Sequence, residues 1–246
     1  MFDFKNSKKE VIEILNSKTE IINKEVIPQS ISDFTFDNGI RTWVGALFVD
    51  MRESSEYFKN NKPDIVARVL RAYYTEIIGI LEKNPKVREI GIRGDCVYAI
   101  YSCPLQSDLN DMFDDAVVIN SFNGMFQKIL EQNKYPVFSI GIGLGAGLDL
   151  VIKAGKKYSG YNDYVWIGKA VIDASNLSGY GNSRYGRPIY MSSIFYDNIK
   201  DFYANKELNI KNSNLLNREY KNYETVYSGD VVKSVYNDWV NSGMKD

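Results

Sequence analysis

Two aspartates in this 246-residue chain stand where a carboxylate can do chemistry: Asp50 ends the apolar run from Val44 to Val49 in "WVGALFVDMRESSEYF", and Asp95 follows Gly94 in "REIGIRGDCVYAIY". Each closes a strand-like segment at a point where the chain must turn. If the two strands are neighbours, both carboxylates emerge at the same end of a sheet. Converging hard oxygen donors suit Mg²⁺ or Mn²⁺, with water and substrate phosphate completing the coordination. Aspartate also favours solvated turns for its own hydrogen bonding, so spacing alone leaves both readings standing. Behind Asp50, the residues Arg52, Ser54 and Ser55 lead into a helix. Free backbone N–H groups at such a point form either a phosphate-holding concavity or a capped loop.

Other chemistry is excluded by composition. The chain has no histidine, which removes Ser-His-Asp and Cys-His nucleophiles and His-ligated metals. Catalysis must therefore run on carboxylates, hydroxyls, Lys, Arg or oxygen-held metals. Cys96 and Cys103 match neither a CxxC pair nor a zinc set and read as buried thiols. Gly141-x-Gly143-x-x-Ala146 spells a dinucleotide fingerprint, but the alternation runs on through Leu148, whereas a true fingerprint opens a helix at once. No GxxxxGK[ST] phosphate loop exists.

The elements that must position the carboxylates are legible from periodicity. Ser7-x-x-Glu10 has capping-box spacing before Val11, Ile14, Leu15, Ile21 and Ile22, which predicts an amphipathic helix ending before Pro28. Residues 29–42, with an Asn-Gly pair, read as loop or turn. A strand follows over 44–50, then a helix over 63–81 with Pro63 in its first turn. Residues 88–101 read as a hairpin with Gly94-Asp95 at its tip, and residues 108–132 as a second long helix. "FSIGIGLGAGL" alternates large apolar residues with small ones, leaving one strand face as nearly bare backbone for a helix, a ligand or a second subunit to approach. "VWIGKAVIDASNLSGYG" reads as strand, turn and short helix, and "REYKNYETVYSGDVV" as a final hairpin. This order suits an α+β sandwich, expected as an N-terminal helical arm and loop over 1–40 and one domain over 41–246.

The charge balance, 30 basic against 31 acidic residues, offers no basic field for duplex nucleic acid. The start MFDFKNSKKE has no apolar leader, and no run of about 18 apolar residues occurs, so no membrane partner and a cytoplasmic location are expected.

Taken together, these segments resemble the class III nucleotidyl cyclase catalytic domain. "FVDMRESS" resembles that family's first metal motif, typically F-x-D-I-x-G-F-T, and "GDCVYAIY" the second. "SIGIGLGAG" is similar to its glycine-rich strand and "VWIGKAVIDASNLS" to its strand-turn-helix segment. The resemblance covers about residues 43–230 and implies a ferredoxin-like sandwich with a mostly antiparallel sheet. Departures are equally informative. Gly91 stands where purine cyclases carry a base-reading Lys, and Val165 where they carry a polar base reader. Ile172 and Asn176 take the places of the Asn and Arg that assist the transition state, and Glu53 and Ser54 replace a Gly and a Phe.

Kept metal residues with lost purine determinants resemble the bacterial pyrimidine cyclases of the Pycsar anti-phage system. The implied reaction is attack of the nucleotide 3′-oxygen on its own α-phosphorus with loss of pyrophosphate. Two Mn²⁺ or Mg²⁺ ions at Asp50, Asp95 and the Met51 carbonyl are implied cofactors, with UTP favoured over CTP as substrate. By the same resemblance, Arg52, Ser54 and Ser55 hold phosphate, Arg218 or Lys221 reaches the triphosphate across a homodimer interface, and Asn176 assists catalysis. Arg93, two residues before Asp95, offers a fixed fork of donors that serves a uracil carbonyl or a phosphate, or simply a surface turn. Trp43, Trp166, Tyr180 and Tyr185 are candidates to stack on the base or to fill core and interface. The implied product acts through a downstream cyclic-nucleotide effector. The alternatives are a cytidylate, adenylate or guanylate cyclase, and a non-catalytic nucleotide-binding dimerisation module.

Overall fold

A computed structural model describes residues 2–182, 187–203, 210–216 and 223–245. Helix α1 (Phe4–Asn16) starts earlier than the Ser7-x-x-Glu10 pattern suggests: Asp3 caps it, its carboxylate accepting from the N–H groups of Lys5 at 3.1 Å and Asn6 at 3.0 Å. An Asp immediately before the helix wins because its side chain reaches the free N–H groups of the first turn. The helix also ends well short of Pro28 and buries no residue. Residues expected to continue it form strand β1 (Glu20–Asn23), which pairs in parallel with β2 (Asn38–Met51). The Asn38-Gly39 pair is thus not a turn. It opens β2, held by β1 on one side and by a later strand on the other.

Helix α2 (Ser54–Asn60) and α3 (Pro63–Leu81) follow, the latter with the predicted limits and Pro63 at its N-terminus. The predicted hairpin is β3 (Val87–Arg93) and β4 (Cys96–Ser102), with Gly94 at φ +63° in the turn. Helix α4 (Gln106–Gln132) leads to the long glycine-rich strand β5 (Ile140–Gly155) and to β6 (Asn162–Ile167). Helix α5 (Lys169–Ser178), β7 (Ile189–Ser192), α6 (Ser193–Tyr203), β8 (Ile210–Leu216), β9 (Tyr223–Gly229) and α7 (Ser234–Asn241) complete the chain. The final hairpin is present, but its first strand is β8, upstream of the predicted segment, and pairs Leu216 with Tyr223.

The sheet runs β3-β4-β2-β5-β7-β9-β8, with β1 also on β2 and β6 on β5. Among the described residues only β1–β2 and β5–β7 pair in parallel. On one face α3, α4 and α6 bury Leu47, Val49, Tyr73, Ile77, Phe113, Ile142 and Phe195 in the main core. Full burial of each such side chain contributes about 1.5–3 kcal/mol. On the other face α5 packs Ala170 and Ala174 over Val44, Ala46 and Ile100.

The glycine face of β5 receives α5. A Cβ at Gly141, Gly143 or Gly145 would collide with backbone atoms of Ser178, Ala174 or Ala170. Of the three occupants open to that face, the helix takes it, so it is not available to a second subunit.

One half-buried carboxylate braces the core at a cost that depends on pH. Asp115 accepts from Asn84 Nδ2 at 2.8 Å and Tyr101 Oη at 3.0 Å, yet burial pushes its pKa from 3.8 up to about 6. The folded state therefore binds this proton more tightly than the unfolded chain. Its stabilising contribution is complete below 3.8 and lost as pH rises through about 6. Asp115→Asn keeps an acceptor for both donors without the charge. It is expected to raise stability at pH 7.5 by up to about 3 kcal/mol and to flatten the decline of stability from acid to neutral pH, read by urea titration at several pH values. Equal pH profiles for the two proteins would contradict this.

Candidate active site

Asp50 lies one residue from the end of β2 and is paired across the sheet with Cys96, the first residue of β4. Asp95 precedes Cys96 at the hairpin tip, and adjacent strands lie about 4.8 Å apart, so the two carboxylates reach the same sheet end. The electrostatics agree. Burial raises the pKa of Asp50, Arg52 draws it down, and the charge of Asp95 raises it again. Burial and the same two carboxylates push the Cys96 thiol up to about 12, so it remains protonated and no nucleophile. The tip is held from the helical layer, where Tyr74 Oη donates to the Gly94 carbonyl at 2.7 Å.

Beyond Asp50, the buried Met51 pairs through its backbone with Ile140, and the Arg52 N–H donates to the Ser139 carbonyl at 2.8 Å. The Arg52 guanidinium turns inward: Nη2 pairs with Asp50 Oδ2 and Nη1 donates to the Gly179 carbonyl at the end of α5. Helix C-terminal carbonyls carry partial negative charge, so this is a natural place for a cation. Arg52 thus ties the carboxylate strand to α5, a contact that the expectation of a phosphate-holding residue did not include. Glu53 adopts φ +55°, the left-handed conformation that glycine takes at little cost. The turn has kept a glycine-like backbone after losing the glycine. It sets Ser54 and Ser55 in the first turn of α2, where backbone N–H groups have no intrahelical acceptor.

The hairpin carries an aromatic and polar cluster on the same sheet face as Asp50. Gly91 is paired with Tyr98, and a Cβ at Gly91 would collide with the Tyr98 ring. That ring stacks on Phe48 with centroids 5.3 Å apart. Tyr98 Oη donates to Glu89 Oε1 at 2.7 Å, and Trp166 Nε1 donates to Glu89 Oε2 at 2.7 Å. Arg93 is exposed, and burial and Glu89 raise the Tyr98 phenol to about 12 against the opposing effect of the Arg93 guanidinium. Tyr98 therefore occupies the space a side chain at position 91 would need.

Asp149 of β5 is a positioning residue that its sequence context does not reveal. Fully buried, it accepts from the N–H groups of Ala170 at 3.2 Å and Val171 at 3.4 Å, and Gly168 leaves room for it. It anchors the start of α5, and Arg52 anchors the end. Between them, Ile172 and Asn176 are four apart on the exposed side of α5. Asn176 lies in the last turn of α5, shortly before Gly179, whose carbonyl takes the Arg52 guanidinium. Val165 is exposed, as is Trp43, whereas Tyr180 packs against Tyr190 with centroids 6.3 Å apart. Arg218, Lys221 and Tyr185 lie outside the described residues.

Among the described residues no three Asp, Glu, Cys or His side chains cluster to cage a metal. The donor set at the sheet end is instead two carboxylates, one of them half-buried and repelled by the other. That set fits a hard divalent cation of the kind that takes few protein oxygens and leaves positions for water and phosphate. Asp50, Asp95 and the Met51 carbonyl are the residues that would hold it.

Two curated proteins, both named uridylate cyclase, are similar to this chain. The one from Treponema porcinum is 40% identical over 246 residues, covering 100% of this chain and 83% of the relative. The one from Gulbenkiania mobilis is 31% identical, covering 97% of this chain and 95% of its own. No family model matches. Among solved structures, the adenylyl cyclase CyaB from P. aeruginosa superposes with a TM-score of 0.66 at 19% identity, covering 80% of this chain and 96% of that one. The guanylyl cyclase Cya2 gives 0.66 at 18% identity, covering 81% and 97%. At such identities the solved structures speak for the fold alone.

Proposed function

The chain belongs to the uridylate cyclases, nucleotidyl cyclases with the class III fold, and from that premise we propose that it converts UTP to 3′,5′-cyclic UMP and pyrophosphate. Membership of an enzyme family sets aside the non-catalytic reading. The observation that carries the reading in the molecule itself is the pairing of Asp50 with Cys96, which brings Asp50 and Asp95 to one sheet end.

In this reading Asp50, Asp95 and the Met51 carbonyl hold two divalent cations, Mn²⁺ or Mg²⁺. When bound, these supply charge neutralisation of the triphosphate and acidify the 3′-hydroxyl. The N–H groups of Ser54 and Ser55 receive phosphate oxygens at the start of α2. Arg52 is the partner of Asp50, and its guanidinium would be free to meet phosphate where cations hold that carboxylate. Asn176 faces the substrate from α5, and Arg218 or Lys221 of a second subunit completes the triphosphate site in a head-to-tail homodimer. The homodimer rests on the family resemblance, since α5 already covers the glycine face of β5. Expected surroundings are cytoplasmic, with cyclic UMP serving as an alarm signal to an effector in anti-phage defence. No helix among the described residues is long and apolar enough to cross a membrane.

Base selection is proposed to depend on Arg93 and on the Tyr98 ring that fills the place of a side chain at 91. A site built with buried donors rejects a base that leaves them unpaired. Incubation with each of the four NTPs and Mn²⁺ should give cyclic UMP as the main product. A preference for ATP or GTP would end the pyrimidine reading. If Arg93 reads a uracil carbonyl, Arg93→Ala should cost the preference for UTP about 1–3 kcal/mol in competition kinetics. Uniform weakening of all substrates would assign Arg93 to phosphate.

A further inference from the structure

At the end of β3 remote from the hairpin tip lies a cavity of about 470 Å³, walled by Phe34, Tyr164 and Trp166 and by Arg88 and Glu89. Neither Asp50 nor Asp95 lines it. We infer that this cavity is a second small-molecule site, which takes a flat heteroaromatic ring bearing one negative charge, the class to which a cyclic mononucleotide belongs.

The walls are set by contacts made before any ligand arrives. Phe34 and Tyr164 hold each other at 4.7 Å between centroids, and Trp166 is fixed by its 2.7 Å bond to Glu89. Tyr164 and Trp166 are only partly buried at this wall, and the aromatic surface they leave open is one on which a planar ring stacks. Volumes of about 300–1,000 Å³ are those of small-molecule sites, and this cavity falls in that range.

Charge selects within that class. Arg88 Nη1 donates to the carbonyls of Pro85 at 2.8 Å and Val87 at 3.1 Å, which fixes the guanidinium plane. Its Nε is buried with no hydrogen-bond partner among the described residues. Nη2 has no hydrogen-bond partner among the described residues and, unlike Nε, is not sealed from solvent, so it is the donor that meets a phosphodiester or carboxylate oxygen. One guanidinium balances one anion, while Glu89 beside it disfavours the several charges of a triphosphate. The cavity thus suits the product class of this enzyme better than its substrate.

Its wall is also wired to the carboxylate strands. Glu89 accepts from Trp166 inside the cavity and from Tyr98 outside it, and Tyr98 stacks on Phe48 two residues before Asp50.

The test is calorimetric titration of the full chain in EDTA, with 3′,5′-cyclic UMP, cyclic AMP, uridine and UTP as probes. At least one cyclic mononucleotide should bind saturably, about ten-fold or more tighter than uridine or UTP. Arg88→Met and Tyr164→Ala should each weaken it about ten-fold, and Asp50→Asn should leave it unchanged. Two variants are used because Arg88 also braces its own strand. Thermal melts identify a variant that fails to fold, and the other then decides. Absence of saturable binding by either cyclic nucleotide would overturn the inference. So would binding that a folded Arg88→Met or Tyr164→Ala protein retains in full, or that Asp50→Asn abolishes. The product is identified separately by turnover, so loss of the UTP reading leaves this result interpretable.

Discussion

Turnover by the Asp50→Ala and Asp95→Ala variants is expected to fall by about 10³-fold or more, with the fold retained. The cation-binding oxygens proposed at this sheet end come from these two side chains and one backbone carbonyl, so losing either carboxylate removes nucleophile activation and charge neutralisation together. Stability should move the other way or hardly at all. Asp50 is partly desolvated and repelled by Asp95, so its removal relieves an unfavourable charge while freeing Arg52. Product formation by chromatography and thermal melts are the two readouts. An Asp95→Ala enzyme with wild-type turnover would sink the assignment. The Asp50→Ala variant also tests the assembly. If Arg218 or Lys221 completes the neighbouring subunit's site, an Arg218→Ala/Lys221→Ala chain is also inactive. Mixing it with Asp50→Ala chains should then rebuild about a quarter of the sites, through heterodimers with one intact site each. No recovery would argue that each chain works alone.

Much of the scaffold around this site was legible because its signals are local. Pro63 and the apolar stripe behind it mark α3 to the residue, and the large-small alternation marks β5. The N-terminal segment was misread where two local rules competed. Ser7-x-x-Glu10 spells a capping box, but Asp3 is nearer the first free N–H groups and takes the role. The Asn38-Gly39 turn signal lost to tertiary pairing, since β1 and β5 both bond this stretch. Nor could the four residues of β1 announce themselves, being too few for a period.

The same division runs through the site. Asp50 and Asp95 could be found because a carboxylate at the end of an apolar strand is conspicuous in one dimension. Glu89 could not, because it joins Tyr98 nine residues away to Trp166, 77 residues away. Asp149 is likewise silent until α5 folds back across β5 and brings Ala170 and Val171 to it. Gly91 read only as the absence of the Lys that purine cyclases carry there. Cross-strand register fills it with the Tyr98 ring, so the departure from purine cyclases is a replacement, not a vacancy.

Gly143→Ala is expected to be among the most damaging single methyl groups that can be added at the described glycines. Its Cβ would fall well inside contact distance of the Ala174 carbonyl oxygen and the Ser178 nitrogen, both backbone atoms of α5. No rotamer change can relieve such a clash, so α5 must lift off the sheet. Overpacking of this kind costs about 1–3 kcal/mol or more, which for a chain this size lowers Tm by on the order of 10 °C. Activity should fall further than stability, because α5 carries Asn176 and the Gly179 carbonyl that holds Arg52 beside Asp50. Gly147→Ala is the control: its Cβ would sit 3.4 Å from Asp149 Oδ1 and 3.5 Å from the Ala170 nitrogen, an ordinary contact. That variant should stay within about 0.5 kcal/mol of wild type. Equal melting of Gly143→Ala and Gly147→Ala would mean that α5 does not rest on the glycine face. If a second subunit occupied that face instead, Gly143→Ala would dissociate the oligomer in sedimentation while leaving the melting of the monomer unchanged.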